Sequence, residues 1–140
     1  MIITNPTTEK PIREVREDDA SSIARKFDCA RGSQSGWART LLSERLAIVR
    51  RFAALLASRI DELAALLTSE MGKPIKQSRN ELTAMQQRIA FFLENTERAV
   101  ADEVVFTSDA TAASATDETI RYEPLGVVAN ISAWNYPWFV

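Results

Sequence analysis

The sequence predicts an incomplete α/β fold that consists of three amino-terminal helices, a protruding β arm and one strand of a larger sheet. Apolar residues between positions 18 and 101 recur at steps of three and four, which is typical of helices that face a core. Residues 107–119 are instead rich in Ser, Thr, Ala and Asp. An apolar run at 127–131 then precedes a polar elbow and the first turn of a helix. Such a strand–turn–helix unit places ligand-binding groups at the carboxyl end of the strand.

Composition excludes several classes of protein. The 140 residues suffice for one domain with a core. The formal net charge of −2 gives no general attraction to nucleic acid or to anionic membranes. No apolar run approaches the length of a membrane span, and residues 1–6 lack the features of a secretory signal. A cytoplasmic protein without nucleic-acid or membrane partners is the expectation.

Histidine and cysteine usage limits the chemistry. The chain has one cysteine and no histidine, so it can form neither an internal disulfide nor a Ser–His or Cys–His pair. A structural zinc site is excluded on the same grounds, and we expect no metal. Any chemistry must therefore use carboxylates, lysines, amides or backbone groups.

The first elements are a hairpin and a helix. Residues 2–4 and 12–15 flank the turn-rich segment 5–8 and are predicted to pair. Asp18 or Asp19 is a suitable cap for the first helix, because a carboxylate accepts hydrogen bonds from free amides at the positive helix end. Gly32 and the polar residues 33–36 are predicted to end it.

Two further helices are predicted. Ser43 caps the second, and Gly72 followed by Pro74 ends it. Its apolar stripe consists of Leu46, Val49, Phe52, Leu56, Ile60, Leu63 and Leu67. Pro74 suits the first position of the third helix, which extends to about Ala101. The inner face of that helix consists of Ile75, Leu82, Met85, Ile89, Phe92 and Leu93. Beyond the polar arm, Ile120 and Tyr122 alternate as in an exposed strand.

Three segments carry motifs. They are Asn5-Pro6; Ser43-Glu44-Arg45 together with Glu70-Met-Gly-Lys-Pro74; and Tyr122-Glu-Pro-Leu-Gly-Val-Val128 followed by Trp134-Asn135-Tyr-Pro137. In order and spacing they resemble the amino-terminal portion of the NAD(P)-dependent aldehyde dehydrogenase superfamily. Residues 92–96 with 101–103 are most similar to the succinate-semialdehyde dehydrogenase branch.

The resemblance implies an oligomeric enzyme that oxidises a small aldehyde to a carboxylic acid with NAD or NADP, through a cysteine nucleophile. Residues 1–106 would be the helical part of the cofactor-binding domain, and residues 107–124 an arm through which a homo-oligomer assembles. Residues 125–140 would supply the first strand and the elbow of the cofactor-binding sheet. The aldehyde, the choice between NAD and NADP and the oligomeric state stay open.

Site residues follow from the same resemblance. Asn135 would be the oxyanion-hole residue, because a fixed amide dipole helps most where negative charge develops. Ile131, Ser132 and Trp134 would line the cofactor side, and Tyr136 would face the aldehyde tunnel. Taken without the family, Asn135 could be a turn former and Trp134 a plain core aromatic.

The sequence also departs from the family. Ala133 replaces a proline before the Trp-Asn pair, and Glu9 replaces a glycine of the amino-terminal turn. The family's nucleophile cysteine, water-activating glutamate, phosphate-binding glycine turn and ribose-reading lysine all lie beyond Val140. Cys29 lacks the nucleophile's surroundings and is expected to be a small buried apolar residue. Lys73, with Glu70, is interpreted as a charged helix end.

Two hypotheses stay open at this stage. The chain is the leading part of an aldehyde dehydrogenase, inactive by itself, or it is a non-catalytic helical interaction module that associates with a full-length paralogue. Because the sequence stops within an element at Phe139 and Val140, the first is favoured.

Overall fold

Residues 1–108 and 115–140 are described by a computed structural model of the chain. The elements in chain order are β1 Ile2–Thr4, β2 Pro11–Glu14, α1 Ala20–Arg39, α2 Leu42–Ser58, α3 Ile60–Met71, α4 Ile75–Ala99, β3 Glu103–Thr107 and β4 Asp117–Ile120. Helices and strands thus combine as the predicted α/β class requires, with four helices in place of three. No helix within the described ranges is both long and apolar enough to cross a bilayer.

The amino-terminal hairpin is confirmed. Strands β1 and β2 are antiparallel, and the pairing is irregular between Ile3 and Thr4. The Asn5 side chain holds the turn, since its Oδ1 accepts from the amides of Thr7 at 2.9 Å and Thr8 at 3.2 Å. This arrangement explains the Asn at the start of the Asn5-Pro6 motif.

Helix α1 starts as predicted and ends later. Asp19 is its cap, and its Oδ1 accepts from the Ser22 amide at 2.8 Å. The prediction that the helix ends at Gly32 was wrong, because α1 continues through Gly36 to Arg39. Each interior glycine costs only about 1 kcal/mol relative to alanine, which the neighbouring helical turns tolerate. Although one face is apolar, α1 has no buried residue in this structure.

The predicted second helix is two helices. Arg59 leaves helical geometry at φ −119° and ψ 17°, and both α2 and α3 are capped by it. The Ser58 hydroxyl donates to the Leu55 carbonyl at 2.8 Å, and the Arg59 guanidinium pairs with Glu62. Ser43 as a cap was also wrong, since Leu41 caps α2 without a side-chain hydrogen bond.

The core lies where α2, α3 and α4 meet. Its buried cluster consists of Leu56, Leu63, Ala64, Leu82 and Met85. Ile60, Ile89 and Trp138 pack against this cluster, so an aromatic residue of the carboxyl-terminal segment reaches the helical core. Gly72 ends α3 in the left-handed conformation, as predicted, and Pro74 caps α4 instead of forming its first turn.

The arm contains an antiparallel hairpin whose strands are exposed throughout. It begins earlier than predicted, because β3 starts at Glu103 rather than near position 107. Ser108 and Thr116 continue the pairing: the Ser108 amide donates to the Thr116 carbonyl at 2.9 Å. Most of the predicted polar tip, residues 109–114, lies outside the described residues.

The apolar run at 127–131 does not form the predicted strand. Residues 121–133 have no regular secondary structure, and Ile131 is 94% exposed. A strand forms only when a neighbour pairs with its backbone groups. The two sheets of the described residues are β1–β2 and β3–β4, and neither includes this segment.

Candidate active site

The carboxyl-terminal elbow forms one tight turn against helix α4. Residues 134–139 are turns and a bend, and the Val140 amide donates to the Tyr136 carbonyl at 3.1 Å. Pro137 lies inside this turn, and its fixed φ suits the first residues of a helix. The elbow therefore has the start of a helix that the sequence predicts.

Glu81 of α4 holds the amide end of this turn. Its Oε1 accepts from the Trp138 amide at 2.9 Å and from the Phe139 amide at 3.3 Å. These are amides that the first turn of a helix leaves without intrahelical partners. Glu81 thus performs the role of a helix cap from a different helix.

Lys73 completes the arrangement. Its Nζ lies 2.6 Å from Glu81 Oε2, and the two side chains are 11% and 0% exposed. The same Nζ donates to the Asn135 carbonyl at 2.7 Å and lies 3.9 Å from the centroid of the Tyr136 ring. A buried ion pair and a cation–π contact therefore meet directly beneath the elbow.

Arg88 is the second residue of α4, after Glu81, that holds the elbow. Its Nη1 donates to the Phe139 carbonyl at 3.3 Å, and the guanidinium lies 3.9 Å from the centroid of the Phe139 ring. Positions 81 and 88 lie two helical turns apart, so both side chains leave the same face of α4.

A cleft of about 870 Å³ opens between α4 and the elbow. Its walls consist of Gln77, Asn80, Glu81, Ala84, Arg88, Asn135, Tyr136, Phe139 and Val140. This volume is within the range of small-molecule sites. A side-chain amide on such a turn can donate a hydrogen bond to an oxygen that becomes negative during a reaction.

The structure brings together two of the five predicted site residues. Asn135 and Tyr136 share the wall of the cleft. Ile131, Ser132 and Trp134 lie on the exposed approach to the elbow, where Trp134 is 78% exposed. Trp134 is therefore not a core aromatic in this chain.

Cys29 belongs to a different part of the molecule. It is exposed on α1, so the expectation of a buried residue was wrong. None of the residues that line the cleft comes from α1. This geometry is consistent with the interpretation that Cys29 is not the family's nucleophile cysteine.

Sequence reasoning missed Glu81 and interpreted Lys73 only as part of a charged helix end. One signal was present: Glu81 precedes Leu82 and lies three and four residues from Ser78 and Met85, all of which are buried on one face. A carboxylate inside an apolar stripe requires a partner, because burial of a lone charge is costly. Its cationic partner was only eight residues away.

A match to the aldehyde dehydrogenase family covers residues 1–140, the whole of this chain. The chain belongs to the aldehyde dehydrogenase family. This confirms the resemblance that the three motifs predicted.

Individual members of the aldehyde dehydrogenase family are much longer than this chain. The chain is 31% identical over 133 residues to an N-succinylglutamate 5-semialdehyde dehydrogenase of Pseudomonas fluorescens. The aligned residues cover 95% of this chain and 26% of that protein. The chain thus spans about a quarter of the length of this relative.

Solved aldehyde dehydrogenase structures have the same fold over this part. A 3,6-anhydro-L-galactose dehydrogenase, solved in complex with NAP, matches 99% of the chain and 28% of its own at a TM-score of 0.85 and 28% identity. The succinate-semialdehyde dehydrogenase of Burkholderia pseudomallei matches 79% of the chain and 23% of its own, with a TM-score of 0.71 and 32% identity.

Proposed function

We propose that this chain is the amino-terminal part of an enzyme that oxidises a small aldehyde to a carboxylic acid with NAD or NADP. The observation that carries the proposal is that Asn135 lines the cleft from a tight turn, where Lys73 holds its backbone carbonyl. In the complete enzyme Asn135 donates to the aldehyde oxygen as a cysteine thiolate attacks the carbonyl carbon. A preorganised donor of this kind stabilises the transition state more than the ground state.

The neighbouring residues divide between cofactor and substrate in this proposal. Ile131, Ser132 and Trp134 lie on the cofactor side, and the exposed apolar surface of Ile131 and Trp134 suits contact with the nicotinamide riboside. The cofactor accepts the hydride when it is bound. Tyr136 lines the aldehyde tunnel, in keeping with its place in the cleft.

The division of the chain follows the same proposal. The predicted division assigns residues 1–106 and 125–140 to the cofactor-binding domain and residues 107–124 to an arm that pairs with another subunit; because β3 begins at Glu103, we extend the arm to include that whole strand. Support comes from the exposure of β3 and β4, since exposed strand edges present backbone groups that can pair with a further strand. A homo-oligomer assembled through the arm is the expected state.

The sharpest test is Asn135→Ala in the complete enzyme. We expect kcat to fall by roughly 10²- to 10³-fold, as for removal of one oxyanion donor, with a small change in KM. Asn130→Ala is the matched control, because Asn130 lies in the same exposed segment outside the cleft. A kcat that is unaffected by Asn135→Ala contradicts the proposed role.

Residues 1–140 alone are expected to give no turnover with any aldehyde and either cofactor. The proposed mechanism needs a nucleophile cysteine, and Cys29 lies on α1 away from the cleft. Cofactor reduction that disappears with Cys29→Ser would contradict this expectation.

The coding sequence after the codon of Val140 separates the two hypotheses. A continuation with a nucleophile cysteine motif supports the dehydrogenase. Unrelated sequence supports the non-catalytic interaction module instead.

A further inference from the structure

We infer that Lys73 and Glu81 are positioning residues that fix the Asn135 amide by holding the elbow at both ends. The inference rests on the proposed role of Asn135 in aldehyde oxidation. Neither side chain is assigned contact with aldehyde or cofactor. Both act through the backbone of the turn that carries Asn135.

The contacts bracket the residue that they position. Lys73 Nζ binds the carbonyl of Asn135 itself at 2.7 Å. Glu81 Oε1 binds the amides three and four residues further along, at 2.9 and 3.3 Å. Because Pro137 restricts the backbone between them, few conformations of the turn satisfy all three bonds.

The two charges also hold each other. Glu81 Oε2 and Lys73 Nζ lie 2.6 Å apart, and the carboxylate side chain is fully buried. Carboxylate acceptors bind amides more strongly than neutral ones do. Glu81 lies near the amino-terminal end of α4, which packs on α2 and α3, so the core determines where the elbow lies.

Energetic reasoning indicates a role beyond stability. A buried ion pair is weak evidence for stability, since apolar residues of similar volume often replace one at little cost. Loss of one partner alone is strongly destabilising, because it leaves an unpaired buried charge. A pair whose three hydrogen bonds to backbone groups converge on one turn is better explained by the geometry that it imposes on that turn.

The test compares single and double variants of the 140-residue chain. Lys73→Met and Glu81→Leu are made separately and together, and the double variant leaves no orphan charge. Urea denaturation gives stability, and hydrogen exchange measured by mass spectrometry gives the protection of residues 134–140. The control is the exposed pair Arg79 and Asp61, 2.8 Å apart, replaced by Arg79→Gln and Asp61→Asn.

We expect both single variants to be destabilised and the double variant to regain most of the lost stability. Although its stability is regained, the double variant should exchange the Trp138 and Phe139 amides roughly ten- to a hundredfold faster than the wild-type chain, because the charged acceptor of these amides is missing. The control pair should leave elbow exchange unchanged. Wild-type protection of the elbow in the double variant would overturn the inference and leave the pair a purely structural role.

A kinetic comparison separates this inference from the proposed function. In the complete enzyme the double variant should lower kcat with little change in KM, as Asn135→Ala does. If Asn135→Ala has no effect while elbow exchange accelerates, the positioning contacts stand and the oxyanion role fails. If Asn135→Ala lowers kcat and the double variant does not, the positioning role fails.

Discussion

At the scale of single residues, Glu9 has backbone geometry that its side chain does not favour. It is the residue at which the family's glycine is replaced, and its φ is 58°. Its amide donates to the Asn5 carbonyl at 2.8 Å, so the hairpin turn requires this conformation. The left-handed region costs an L-residue roughly 1–2 kcal/mol, a cost that glycine avoids.

Glu9→Gly should therefore stabilise the chain by about 0.5–1 kcal/mol, after allowance for the extra freedom of glycine in the unfolded state. Urea denaturation measures the change. Glu14→Gly is the control, because Glu14 lies in β2 and glycine weakens a strand. Equal destabilisation by both substitutions would contradict the argument.

Residue-level prediction succeeded where the chemistry is local. Asp19 accepts from an amide three residues away, and Gly72 relieves a left-handed backbone, so both follow from the neighbouring sequence. The environment of Lys73 was not predicted, because its partners include Asn135, which is 62 positions away in the sequence. The role of Asn135 stays a prediction from the family resemblance, and the contacts that hold its backbone depend on tertiary packing.

At the scale of elements, Gly72 joins α3 to the amino-terminal hairpin. Its φ is 66°, and a Cβ atom there would lie 2.9 Å from Pro6 Cγ. Gly72→Ala should cost about 1–2 kcal/mol of unfolding free energy, because the left-handed backbone strain and the close contact act together. Gly36→Ala is the matched control: it lies inside α1 with open space around it and should stabilise by about 0.5–1 kcal/mol. Two changes of the same sign would refute this explanation.

The start of α1 should respond to acid. The Ser21 hydroxyl and then the Ser22 amide hold the pKa of the Asp19 carboxyl below its usual value. As pH falls, the Asp19 carboxyl is therefore protonated in the unfolded chain before it is protonated in the folded chain. The stabilisation by this carboxylate is complete above its ordinary pKa of about 4, and it is lost as pH falls through the lower pKa of the folded chain. Ser21→Ala should flatten the loss of helical circular dichroism as pH falls below the ordinary pKa of about 4. An unaltered acid response in Ser21→Ala would contradict this assignment.

Element boundaries show what periodicity cannot predict. The apolar stripe continues without a break from Leu56 through Ile60 to Leu63, yet the helix is interrupted at Arg59. An interrupted pair of helices and a single helix can present the same stripe to one core. The hydrogen bond from the Ser58 hydroxyl to the Leu55 carbonyl lies next to the interruption, but such bonds occur in many unbroken helices as well.

At the scale of the whole molecule, the exposed apolar surface is suited to contacts with another protein surface, since the described residues do not cover it. Leu125 is 97% exposed and Ile131 94%, while α1 buries none of its apolar face. Single exposed apolar residues are ordinary, but a continuous run of them marks an interaction surface. The α/β class was predictable because the helical stripes are local, whereas a strand at 127–131 would need a pairing neighbour that the described residues do not supply.

The 140-residue chain is therefore expected to self-associate through its exposed apolar segment. Removal of residues 127–140 is a poor test, because Trp138 packs on the core and Glu81 caps the elbow. A better variant replaces Leu125, Val128 and Ile131 by serine, which leaves those contacts intact. Light scattering should show association for the unaltered chain and a monomer for the triple variant, with unchanged helical circular dichroism. A monodisperse, cooperatively folded monomer of the unaltered chain would mean that the segment finds cover within this sequence, and the interaction-module hypothesis would gain.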